Sequence, residues 1–66
     1  MSKYKIVDQT GKTIPQIING KRRTVFQEGE NPNYVSTLQW LREITNWDNL
    51  QEKARGTDTM YSIISI

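Results

Sequence analysis

The feature that most constrains this chain is the run Ile17-Ile18-Asn19-Gly20-Lys21-Arg22-Arg23-Thr24-Val25-Phe26. Asn-Gly supplies the two positive-φ residues of a type I′ turn, and it stands here between two segments rich in β-branched and aromatic residues. A β-hairpin is therefore expected, with Lys21, Arg22 and Arg23 lifted beside the turn where they meet water or a partner.

On the N-terminal side, Lys3 to Val7 has the composition of a strand. Asp8-Gln9-Thr10-Gly11 reads as a turn, because Asp can bond its own downstream backbone and Gly accepts positive φ. Thr13 to Ile18 is expected as a second strand, at an edge or bulged at Pro15, which lacks an N–H. Lys21 to Gln27 is expected as a third strand. Alternation would put Arg22, Thr24 and Phe26 on one face and Lys21, Arg23 and Val25 on the other, so that Lys21 and Arg23 act together and Arg22 separately.

After the loop Glu28 to Asn33, Ser36-Thr37-Leu38-Gln39 matches a capping box, with Ser36 at the N-cap and Gln39 three residues on. Val35 and Trp40 stand where a hydrophobic staple would form. Leu38, Leu41, Ile44 and Trp47 recur at helical spacing, flanked by Trp40. The pattern fits either one helix to Ala54 or a break near Asn46 followed by a short second helix. Gly56 is a stop signal. Met60 to Ile66, apolar and uncharged, is expected as a final strand. The expected fold is a single α+β domain over residues 1–66: a three-strand meander plus a C-terminal strand, packed against one helix, in the order βββαβ.

Composition narrows the chemistry. The 66 residues contain neither Cys nor His, which removes thiolate nucleophiles, disulfides, imidazole bases and the common zinc ligand sets. The seven carboxylates show no calcium-loop spacing, and no base stands ready to activate a hydroxyl. A non-enzymatic protein without cofactor or metal is expected. No apolar run approaches the ~20 residues that span a bilayer, so a cytoplasmic location is expected with no membrane partner. The net charge of +2 divides unevenly: residues 1–27 carry six cations against Asp8, and residues 28–66 carry three cations against six acids. Such a dipolar chain is suited to steering partners.

The candidate contact residues are Lys21, Arg22 and Arg23, supported by Lys12, Lys3 and Lys5 of the same expected meander. Six cations on one sheet would suit phosphate contacts; alternatively they are solvated flanks that blunt a strand edge. Tyr4 and Phe26 would be base-stacking rings on such a sheet, but the expectation is that Phe26 is core and Tyr4 half-buried. Trp40 and Trp47, seven residues apart, fall on nearly the same helix side. Either both roof the sheet or one is exposed as an interface anchor. The last strand is core if central. At an edge it invites a partner's strand or a second copy, giving a homodimer through the C-terminal strand.

Tyr4, the Asp8-to-Gly11 turn and the basic third strand, over roughly residues 3–54, resemble the DNA-binding domains of some phage and transposon integrases and plant AP2 factors. That resemblance implies a sheet lying in the DNA major groove, and the extra C-terminal strand departs from it. Two functional expectations result. The first is a small protein that engages and modulates a protein partner, in the manner of bacteriophage accessory or inhibitor proteins. The second is a DNA- or RNA-binding domain that uses the basic sheet.

Overall fold

The structure is a computed structural model that describes residues 2–66. Its elements are β1 (Lys3–Val7), β2 (Gln16–Ile18), β3 (Lys21–Arg23), β4 (Phe26–Gln27), α1 (Thr37–Ala54) and β5 (Ser62–Ser65). One helix on a small antiparallel sheet gives the expected α+β class.

The strands are shared out differently from a simple meander. β1 is the centre of a three-stranded sheet in the order β4-β1-β5, and β2 and β3 form a separate two-stranded ribbon. Asp8 makes the expected turn after β1: its Oδ1 accepts from Thr10 N–H at 2.9 Å and Lys12 N–H at 3.1 Å. The chain then pairs briefly with β1, through the Val7–Thr13 bridge and the Ile14 N–H bond to Ile6 C=O. Pro15 follows and has no N–H to extend the ladder. The hairpin therefore leaves the sheet, turning at Asn19 (φ 52°) and Gly20 (φ 76°) as a type I′ turn requires. The expected third strand breaks at Thr24-Val25, and the chain returns as β4 to pair Phe26 with Tyr4 and Gln27 with Lys3.

Burial along β1 deepens toward its end, where successive residues Ile6 and Val7 are both buried, so that part of the strand is covered on both faces. Tyr4 and Ile6 join Phe26 and Ile63 beneath α1, where Ile6, Phe26, Trp40 and Leu41 form the buried cluster. Phe26 and Trp40 meet edge to face, with ring centroids 5.5 Å apart. The helix thus covers the Phe26 face. Phe26 is core and Tyr4 half-buried, which removes both from the set of exposed stacking rings.

α1 is one unbroken helix through Asn46. The Ser36 Oγ accepts from Gln39 N–H at 3.0 Å, and Gln39 Oε1 accepts from Val35 N–H at 3.0 Å. The expected staple does not accompany this capping box: Val35 is 94% exposed, while Trp40 is held by Phe26. Thr37 rivets the first turn to β4. Its hydroxyl donates to Gln27 C=O at 2.7 Å and accepts from Gly29 N–H at 2.8 Å, and its N–H donates to Glu28 Oε1 at 2.9 Å. A carboxylate at this end also suits the helix dipole. At the other end Gly56 (φ 77°) completes a Schellman closure, with Thr57 N–H on Glu52 C=O and Gly56 N–H on Lys53 C=O.

Candidate protein-binding surface

The basic residues do not gather on one sheet. Lys3 and Lys5 project from β1 on the face away from the helix, and Lys12 lies in the turn after it. Lys21 and Arg22 are exposed on the separate ribbon. The single basic sheet expected of the three-strand meander is therefore not formed.

Arg23 departs furthest from the alternation. Its guanidinium lies 5.0 Å from the Phe26 ring centroid, on the side expected for Arg22. The cause is the break at Thr24-Val25, because alternation holds only within a continuous strand. Both terminal guanidinium nitrogens donate to Glu30: Nη1 to Oε1, and Nη2 to Oε2 at 2.8 Å. Nη2 also donates to Val25 C=O at 3.2 Å, and Glu30 Oε2 accepts from Gln27 N–H at 2.9 Å. Fork-to-fork pairing of this kind is the strong form of the ion pair. The Arg23 bonds hold the Glu30 carboxyl below its ordinary range, and the same bonds raise Arg23. Arg23 is thus a clasp over β4, and the cations of the ribbon left facing solvent are Lys21 and Arg22. Glu30, seven residues from Arg23, has no local sequence signal to mark it as the partner.

The helix presents a different surface. An 18-residue helix is ~27 Å long and the five-residue β1 only ~17 Å, so one end of the helix overhangs the sheet. Trp40 sits over β4 and is 9% exposed, whereas Trp47, two turns further on, is 61% exposed. Leu50, three residues after Trp47 and so on the same flank, is 59% exposed. The two form an apolar pair that the described residues leave largely exposed. Of these, Leu50 went unmarked in the sequence, although its spacing from Trp47 was there to read.

On the opposite flank, Asn49 ties the helix to the last strand. Its Nδ2 donates to Tyr61 C=O at 3.1 Å, and Tyr61 N–H donates to its Oδ1 at 2.7 Å. Asp48 lies in the interior direction of α1, where burial raises its carboxyl, partly offset by a hydrogen bond from Gln16. Burial also raises the Tyr61 hydroxyl, which faces Glu52.

Compared with protein-family models, with curated proteins and with solved structures, the chain gives no significant match. No helix among the described residues is long and apolar enough to cross a membrane.

Proposed function

We propose that this chain is a non-enzymatic binding protein that engages and modulates a protein partner, and that Trp47 and Leu50 dock into an apolar cleft on that partner. The observation that carries this is the exposed Trp47–Leu50 pair on the overhanging part of α1. A large aromatic left in water on an otherwise well-capped helix costs solubility, and tryptophan is among the residues most enriched at interface hot spots. Lys21 and Arg22 on the ribbon suit an acidic rim, which would speed encounter more than it tightens the complex. The nucleic-acid alternative has less support. Arg23 is engaged by Glu30, the cations are dispersed, and Tyr4 and Phe26 face the helix, where no base could stack.

The test is nuclease-treated affinity capture with matched baits: the natural chain, Trp47→Ala, Leu50→Ala, and the double variant Lys21→Ala/Arg22→Ala. Loss of a hot-spot tryptophan should weaken capture by at least ~30-fold, and loss of the rim cations by far less. Capture indifferent to Trp47 overturns the assignment. Low-salt binding to short DNA or RNA that disappears in the Lys21/Arg22 variant establishes the alternative instead.

A further inference from the structure

Hydrogen-bond parity decides what each strand edge offers. Ile66 N–H donates to Lys3 C=O at 2.9 Å, so the backbone groups of odd-numbered β1 residues face β5. In the register Lys5–Ile64 and Ile6–Ile63, this turns the groups of Ser62, Ile64 and Ile66 toward β1. Those of Tyr61, Ile63 and Ser65 face outward. Asn49 takes both groups of Tyr61. Among the described residues no hydrogen bond reaches the outward N–H or C=O of Ile63 or Ser65. β5 also carries none of the charges, prolines or bulges that guard an exposed edge.

We propose that this edge pairs antiparallel with β5 of a second copy, about a twofold axis passing beside Ile64. In that register Ile63 lies opposite Ser65 of the second copy and exchanges both backbone hydrogen bonds with it. Ser65 does the same with the second copy's Ile63, so four bonds form. The groups of Tyr61, already used by Asn49, take no part in it. Ile64, which is 39% exposed, meets its own counterpart across the axis on the face away from the helix, with Ile66 beside it. An uncharged strand suits a second copy of itself, since nothing on it repels its own image.

The outer side of β4 does not allow the same addition. The outward N–H and C=O of Gln27 are bonded to Glu30 and Thr37, and Val25 C=O to Arg23. Pairing therefore stops at two chains, as an isologous contact should. The product is a six-stranded sheet in the order β4-β1-β5-β5-β1-β4. Four residues of strand make a small interface, so the dimer is reversible and concentration-dependent. Trp47 lies two residues from Asn49, hence on the other helix flank, and stays free for the partner proposed above.

Sedimentation equilibrium from micromolar to near-millimolar concentration tests this. The natural chain should move from its 7.7 kDa mass toward twice that value as concentration rises. Ser65→Pro removes an N–H that β1 does not use, and by symmetry deletes two of the four bonds. It should raise the dissociation constant roughly tenfold or more. Ile64→Lys places like charges face to face and should act in the same direction. Trp47→Ala should leave the dimer intact. Amide exchange at Ile63 should slow with concentration in the natural chain and in Trp47→Ala, and not in Ser65→Pro or Ile64→Lys. A monomer at every concentration overturns the proposal and leaves the edge to a strand of another protein. A dimer untouched by both β5 variants, or lost on Trp47→Ala, overturns it as well.

Discussion

The Gln27 N–H and C=O turn outward from β4, and each meets a side chain: Glu30 for the donor, Thr37 for the acceptor. Beside β5 the same kind of group is met at Tyr61, just before the strand, by Asn49, and among the described residues the strand then runs on uncovered through Ile63 and Ser65. The two edges flank the same central strand. What separates them is where the polar side chains of the loops and helix fall. β4 is only two residues long, and the loop after it folds back at once, bringing Glu28, Glu30 and Thr37 within reach. At β5 the described residues supply a single such side chain, Asn49 of α1. An edge is thus closed by chain that returns to it, and one not revisited stays available for recognition.

The largest expected effect comes from opening the closed edge. Glu30→Ala strands the Arg23 guanidinium over Phe26 and removes the acceptor of Gln27 N–H. Loss of one partner from a partly buried, doubly bonded charge pair should cost about 2–3 kcal/mol in urea unfolding at neutral pH. A cost below ~0.5 kcal/mol, the range of ordinary surface changes, would show that the clasp does not hold β4. Asn49→Ala tests the single seal on the other edge and should cost less, about 1–2 kcal/mol, because Tyr61 keeps partial access to water. If Asn49→Ala proved the more damaging, the ranking of the two edges would be reversed.

The parts legible in the sequence were those fixed within a few residues. Asn19-Gly20 carries its own turn geometry, and Ser36 with Gln39 carries its own cap. Gly56 ends the helix, and Pro15 marks the point where the chain leaves the sheet. The class of fold followed from these. The sheet's membership did not, because β1 takes β4 and β5 as neighbours across loops whose closure no local pattern encodes. Arg23 was assigned to the wrong face for the same reason: a two-residue break resets alternation, and β-branched Thr24 and Val25 look like unbroken strand. Helical spacing correctly placed Trp47 on the side of Trp40. It could not show that the two-residue strand under Trp40 ends before Trp47 is reached.

The smallest expected effect is the most specific to the comparison, and it concerns acid. Glu30 in the folded chain sits below its ordinary value because of Arg23, so its contribution is full above the ordinary glutamate range and is lost as pH falls through the lowered value. Asp48 has the opposite sign: burial raises it, so its ionisation opposes folding, and protonation relieves that cost at a higher pH than Glu30 titrates. On acidification the natural chain should first hold or gain slightly and then lose stability as the β4 clasp releases Arg23. Glu30→Gln should start lower and show a smaller late loss, the remainder coming from Asp8, which its bond from Thr10 also holds low. Asp48→Asn should start higher and lack the early gain, and the Glu30 and Asp48 effects should each be about 1 kcal/mol or less. The location of the event can be read directly by NMR. The Gln27 amide proton, bonded to the Glu30 carboxylate, should shift with the late step, while the Ile63 and Ser65 amides, with no carboxylate on them, should not follow it. An identical titration at both edges would mean that acid loosens the whole sheet and that the clasp has no separate existence.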